Sequence, residues 1–361
     1  MTASRDHKWL ALDLVRALAA FTVLAAHVRG ASWVEFGALP SGQQTAPVYA
    51  FFALTRLGQE AVMVFFVLSG LLVGGKLIER VRNGAFRLED YAADRAVRIF
   101  LPLIPACIFT VAINWMVFGI SPDIAQLCLN IVGLNGVLSP TLTNNGPLWS
   151  LAYEIWFYVL GGALAVAFSR GHVSAIAIAF LGVLVFSVLN ASYLLFWAAG
   201  AVMVLVLSAR RAGAMAFFGA ACASCGVVLV QLAMASKSVE ASAAVPLFVA
   251  EAVLCIGFSL CLPFLCRNAT SSVLAPFGRA IRFASSISYT VYLVHYPVNA
   301  ALGAVLPKAR DVDAAAFGLF LTRLAICLLV ALAFWWCFER NSGRLKLALR
   351  RRAGVAVNAE A

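Results

Sequence analysis

Charge is scarce in this sequence, and histidine scarcer still. Only 12% of the 361 residues are Asp, Glu, Lys or Arg, with 16 acids against 27 bases, while 63% are hydrophobic and the mean hydropathy is +0.93. That balance excludes an ordinary soluble domain and implies a polytopic membrane protein. None of the four histidines has an aspartate five positions on, and the chain contains no H-E-x-x-H zinc helix and no G-x-S-x-G elbow, so the commonest hydrolase signatures are missing. No repeat of 20 to 50 residues is evident. The run GLLVGGKL, residues 70–77, keeps P-loop spacing until Leu77 stands where magnesium binding needs Ser or Thr. It reads as a close-packing helix with a snorkelling Lys76. The nine cysteines lie almost wholly in apolar runs, where they pack as small apolar residues. Cys222 and Cys225 form a C-x-x-C, but in a lipid-bounded helix it implies neither redox nor metal chemistry.

What the chain has in plenty is apolar runs of about 20 residues, the length that crosses a bilayer. Spans are expected near 10–28, 58–78, 98–118, 147–168, 173–190, 192–209, 213–233, 246–266, 285–305 and 316–338. The fold class is therefore an all-α integral membrane protein of about ten helices. With the N-terminus inside, only Arg29, Arg56, Lys237, Lys308 and Arg310 fall on the outer side, Arg16 and Arg323 fall within spans, and the remaining bases fall inside. This positive-inside bias makes both termini cytoplasmic. The net charge of +11 is then a topology signal, with anionic lipid a secondary partner and no nucleic acid required. Residues 1–340 read as one transmembrane domain and 341–361 as a basic, disordered cytoplasmic tail. Asp13 and Arg16 interrupt the first span, which is not a cleavable signal.

Ionisable groups inside spans are unfavourable by about 2.5–3.5 kcal/mol at the bilayer centre, so they face a cavity or a partner. Here they are Asp13, Arg16, His27, Glu154, Glu251, His295 and Arg323. In RALAAFTVLAAH, residues 16–27, Arg16 and His27 are separated by about 20° of rotation and roughly 16 Å of rise on an ideal helix, hence share a face. Asp13 is placed to pair with Arg16. Two readings stand: a structural Asp13–Arg16 pair with an interfacial histidine, or a polar path along one helix.

Five segments, in order, resemble one family. LDLVRALAAFTVLAAH at 12–27 carries Arg, ten residues, then His. FFVLSGLL follows at 65–72, DRAVRIFLP at 94–102 holds R-x-x-R as Arg95 and Arg98, GPLWSLAYEIWFY at 146–158 holds W-S-L-x-x-E with Glu154, and SYTVYLVHYPV at 288–298 holds S-Y-x-x-Y-L-x-H-x-P. Together they resemble the membrane-bound acyltransferase-3 family. FERN, residues 338–341, departs from that family's usual Phe-Glu-basic-Pro ending, which weakens any role for Glu339. The hydrolase-like domain that some members append is not in the sequence, so one membrane domain is expected to act alone.

The resemblance implies transfer of an acyl group, usually acetyl, from cytoplasmic acetyl-CoA to a hydroxyl of a cell-envelope or exported glycan, in the inner membrane of a bacterium. Acyl-CoA is then a substrate and no tightly bound cofactor is expected. Arg95 and Arg98, neighbours on one helical face, suit coenzyme A phosphates, or else anchor the span to the inner side. His27 becomes the candidate general base, with Glu154 orienting its ring and Arg16 steadying the donor or polarising its carbonyl. Glu154 has an alternative as a buried partner of Arg323. His295, two residues before Pro297, and Trp149 are candidate acceptor-binding groups; otherwise His295 packs in a polar seam and Trp149, like Tyr153, anchors at the interface. Glu251 and Arg323 read as a structural pair or cavity wall, and the Asn-rich segment 119–146 as a rim that receives the glycan. Transfer directly or through an acyl-enzyme stays open. So do an N-acyl or succinyl-transferring relative and, from another class, a transporter or flippase for a glycan or lipid-linked substrate, in which buried charges mark a substrate path.

Overall fold

The computed structural model describes residues 10–238, 245–343 and 345–346. In chain order the helices are α1 Leu10–Ser32, α2 Ala46–Leu54, α3 Gly58–Ser69, α4 Lys76–Arg82, α5 Leu88–Phe118, α6 Ile124–Ile131, α7 Trp149–Arg170, α8 Val173–Val188, α9 Ser192–Val202, α10 Ala212–Ser238, α11 Leu247–Leu265, α12 Asn268–Leu274, α13 Gly278–Val305 and α14 Ala314–Phe334. A π-helical turn, Gly70–Gly75, joins α3 to α4, and another, Trp335–Glu339, extends α14. Among the described residues β pairing is limited to two isolated bridges, Trp33 with Ala309 and Asn135 with Ser139.

Each of the ten expected spans falls on a helix, and among the described residues seven helical segments are long and apolar enough to cross a membrane. The protein is an all-α, multi-pass membrane protein. Three of the ten stand apart from the seven. Val173–Val188 and Ser192–Val206 are apolar but short. The 28-residue α13 is long enough, but its serines, tyrosines, arginines, His295 and Asn299 lower its hydropathy. The tail expected at 341–361 lies outside the described residues from 347 onward.

The chain divides into two compact units, one of 10–23, 57–83 and 190–288, the other of 24–56, 84–189 and 289 onward. In the first unit, small residues bring helices into backbone contact. A Cβ at Gly70 would lie 1.9 Å from the Trp197 carbonyl oxygen, and one at Gly200 would lie 2.0 Å from that of Val67. The GLLVGGKL run is thus a packing surface. Lipid gives helices no hydrophobic reason to associate, so van der Waals contact between bare backbones supplies the attraction. Glycines 219, 226 and 257 do the same where α10 meets α11, the pair that carries Cys222 and Cys225. Among the described residues the cysteines form no disulfide.

The first unit also buries two carboxylates beside amides. Gln59 donates to Glu251 at 2.7 Å, and Gln231 donates to Glu60. Arg323, in the second unit, donates instead to the Asn299 side chain at 3.4 Å and the Leu306 carbonyl at 2.5 Å. The pairing expected between Glu251 and Arg323 is replaced by partners that each finds within its own unit.

In the second unit α13 has polar groups to satisfy on several sides. Pro297 has no N–H, so the Leu293 carbonyl four residues earlier loses its helical donor. Asn145 supplies one, its Nδ2 lying 3.1 Å from that oxygen and 3.0 Å from Thr110 Oγ1. Tyr292 donates to the Pro147 carbonyl at 3.0 Å and meets Ser150 Oγ at 2.7 Å. The late S-Y-x-x-Y motif is clasped in this way to the start of the W-S-L segment. The remaining asparagines of 119–146 turn inward as well: Asn130 and Asn135 bond backbone carbonyls, and Asn144, at φ 57°, donates to Asn114. These side chains pin the loop and are taken up within the protein.

Two stability effects are expected. Gly200→Ala should destabilise the purified protein by about 3 kcal/mol, because backbone rather than a flexible side chain would have to move. Gly303→Ala, with nothing within 4 Å of its added carbon, should leave the thermal midpoint nearly unchanged; equal midpoints for both variants would contradict the packing argument. Asn145→Leu should lose about 1–3 kcal/mol by stripping the donor from a buried carbonyl. That loss should shrink in a Pro297→Ala background, where the backbone N–H returns, and an equal loss in both backgrounds would show that the Leu293 carbonyl is not the group at stake.

Candidate functional site

The second unit brings two histidines together that are 268 residues apart in sequence. His27 Nδ1 lies 2.8 Å from His295 Nε2, with ring planes 18° apart. His295 is fully buried, and its other nitrogen, Nδ1, lies 2.8 Å from the Val291 carbonyl oxygen. His27 keeps part of its surface exposed, and Tyr296 stands edge-on to its ring at a centroid distance of 5.0 Å. The backbone beneath is fixed too: Asn299 Nδ2 donates to the His27 carbonyl at 3.1 Å, and Arg323 in turn holds Asn299. Among the described residues no third His, Cys, Asp or Glu joins this pair to make a metal-binding set.

This arrangement redistributes the roles expected from sequence. The orienting contact to the His27 ring, expected from Glu154, is made at Nδ1 by His295. Glu154 accepts a hydrogen bond from Tyr158, one turn along α7. With both of its ring nitrogens engaged inside the protein, His295 has none to offer an acceptor. Trp149 opens α7, partly exposed and edge-on to Tyr153 at 5.7 Å. Arg16, in the first unit, makes a tight triangle: its guanidinium lies 3.3 Å from both Asp13 and Ser285, and Ser285 donates to Asp13 at 2.9 Å. The Asp13–Arg16 pair foreseen from the spacing is present, with a buried serine as its third member.

A cationic cluster forms at the start of α5. Arg95 lies over the Tyr158 ring at 5.4 Å, and Arg98 over the Tyr289 ring at 5.8 Å. Neither guanidinium makes a hydrogen bond among the described residues. Arg98 is 3.8 Å from the buried carboxylate of Glu339, which also accepts from Thr290 at 2.5 Å. Lys346 joins them through Asp94 at 3.6 Å. Burial pushes the Lys346 ammonium below its usual range; Asp94 opposes this, and Arg95 and Arg98 add to it. Three cations therefore act on one another here. Arg95 and Arg98 were expected from sequence, whereas Glu339 was discounted for its altered context and Lys346 read as tail.

One helix connects these features. Between Tyr289 at Arg98 and His295 at His27, α13 rises about 9 Å, and Thr290, Tyr292 and Leu293 make the intervening contacts. A ring with a nitrogen available for a proton sits at one end of this stretch, and guanidiniums with unused donors sit at the other.

Residues 9–339 match the acyltransferase-3 family, described as an acyltransferase domain. An O-acetyl transferase of Shigella phage Sf6 is 28% identical over 178 residues, which cover 46% of this chain and 48% of the relative. The chain thus spans about half the length of that relative. No solved structure matches significantly. The family match begins one residue before α1 and ends at Glu339, the carboxylate beside Arg98, so that α1 to α14 all lie within it, and the chain belongs to the acyltransferase-3 family.

Proposed function

We propose that this protein is an integral-membrane O-acyltransferase that moves an acyl group, acetyl in the simplest case, from cytoplasmic acyl-CoA to a hydroxyl of an envelope or exported glycan. Its place would be the inner membrane of a bacterium, with both termini cytoplasmic. The observation that carries the reading is the partly exposed imidazole of His27, held on one side by a buried partner, in a chain of the acyltransferase-3 family. The name of the phage relative, an O-acetyl transferase, supports oxygen as the receiving atom and acetyl as the group.

In this reading His27 removes the proton from the acceptor hydroxyl as its oxygen attacks the thioester carbonyl. The carbon–sulfur bond then breaks, and the departing thiolate takes the proton from the imidazolium. The products are the ester and free coenzyme A, with no covalent acyl-enzyme. Arg95 and Arg98 bind the coenzyme A phosphates, for which guanidiniums that make no hydrogen bond among the described residues are suited. Arg16 has its charge met by Asp13 in the first unit, so the proposed chemistry draws on groups of the second unit alone.

Membranes carrying the wild-type chain, incubated with labelled acetyl-CoA and envelope glycan, should acquire base-labile label. His27→Ala should lower the rate about 10²- to 10⁴-fold, the usual share of a general base, while the protein remains present. Arg95→Ala and Arg98→Ala should each weaken acetyl-CoA binding about tenfold or more. A wild-type protein that binds no coenzyme A would favour a transporter, and label trapped on His27 would replace direct transfer by an acyl-enzyme.

A further inference from the structure

We infer that His295 is a positioning residue that fixes the tautomer of His27, holding the proton on His27 Nδ1 and leaving His27 Nε2 as the bare nitrogen that acts as base. The inference rests on the acyltransferase reading for its catalytic consequence, but not for the proton positions themselves.

A carbonyl oxygen only accepts hydrogen bonds, so the 2.8 Å contact between Val291 O and His295 Nδ1 places a hydrogen on that nitrogen. A neutral imidazole carries one N–H, which leaves His295 Nε2 as an acceptor. His27 Nδ1, 2.8 Å away, must then be the donor. The last nitrogen in the chain, His27 Nε2, is left with its lone pair. The other neutral tautomer of His27 would set two bare nitrogens against each other inside the protein, leaving a buried acceptor unpaired.

The direction of this chain is built into the fold. Val291 and His295 are four residues apart on α13, so the helix itself sets their register. The stretch of α13 is immobilised by Tyr292 on Pro147 and Asn145 on the Leu293 carbonyl. On the His27 side, Asn299 holds the backbone carbonyl at 3.1 Å. His295 is fully buried, so water does not compete for its Nε2. When His27 takes the acceptor proton on Nε2, its Nδ1–H bond to His295 persists and strengthens as the ring becomes cationic. No proton needs to pass to His295.

A glutamine offers the same two functions, a carbonyl oxygen for His27 and an N–H for Val291, whereas a leucine offers neither. With the full-length protein, His295→Gln should retain kcat within about tenfold of wild type. His295→Leu should lose at least about 10²-fold in kcat with little change in KM for acetyl-CoA. The second readout is ¹⁵N NMR of histidine-labelled protein in lipid, without donor or acceptor. Wild type and His295→Gln should show His27 with a protonated Nδ1 and a bare Nε2, and His295→Leu a mixture. A His27 protonated on Nε2 in wild type, or a kcat for His295→Leu equal to wild type, would overturn the inference. A wild-type protein without acyl transfer would overturn the proposed function instead, and the NMR result would still decide the tautomer.

Discussion

The Leu293 carbonyl must have a donor, and Pro297 has removed the one that helix geometry would supply. In water the vacancy would fill from solvent; inside a membrane protein it has to be filled by design or left at a penalty of several kcal/mol. Asn145 fills it, and in doing so ties the loop before α7 to the middle of α13. Tyr292, the residue next to Leu293, adds a second tie to the Pro147 carbonyl. These bonds fix the rotation and depth of α13 against α7, and that placement decides where His295 meets His27 and where Tyr289 and Thr290 meet Arg98 and Glu339. A residue chosen for what it lacks thus organises the polar interior of the second unit.

The same accounting explains the acidic residues, which are few. Glu339 is buried beside Arg98 and Thr290, and Asp94 holds Lys346. Neither pairing uses up the arginines: 3.8 Å is a Coulombic contact rather than a short hydrogen bond. A carboxylate at that range fixes a guanidinium and lowers its desolvation penalty without occupying its donors. The result is a cluster of cations whose guanidiniums make no hydrogen bond among the described residues, which is what the proposed binding of an anion would use. In the first unit two buried carboxylates meet amides, Glu251 with Gln59 and Glu60 with Gln231, while Asp13 meets Arg16 and Ser285.

How much of this was legible in the sequence depends on how local the signal was. Spans were legible because twenty apolar residues in a row have one outcome in a bilayer, and every expected span falls on a helix. Arg95 and Arg98 were legible because three residues fix their common face. The glycine crossing at residues 70 and 200 was half legible: GLLVGGKL announced close packing, but its partner, 130 residues on, did not. His27 stands out as a buried ionisable group, but its partner in the fold is His295 and not the expected Glu154. Depth along a helix, which suggests Glu154, can be counted from sequence, whereas rotation about its axis is set by packing that no single segment encodes. Glu339 was discounted because a following Asn replaced an expected proline, although the carboxylate itself has its arginine. Asn145, one of several asparagines in a loop, became specific only once Pro297 was seen to leave a carbonyl without a donor.

The choice of a second imidazole beside His27 has a physical consequence of its own. A carboxylate in that place would stabilise the imidazolium more strongly, but as a buried anion it would need compensation whenever His27 was neutral. Two neutral imidazoles add no net charge to the interior, their mutual hydrogen bond offsets the cost of burying polar nitrogens, and the orientation of the pair is set from a backbone carbonyl. In the proposed transfer, the cation formed on His27 would be stabilised by this neutral acceptor and by the charge developing on the reacting oxygen and sulfur. Stabilisation would then come from the reaction rather than from the protein: the imidazolium is favoured when an oxyanion stands next to it and disfavoured when none does. In a protein with little charge to spare, a base that became cationic only opposite its substrate's developing negative charge would be compatible with a dry interior throughout the rest of that cycle.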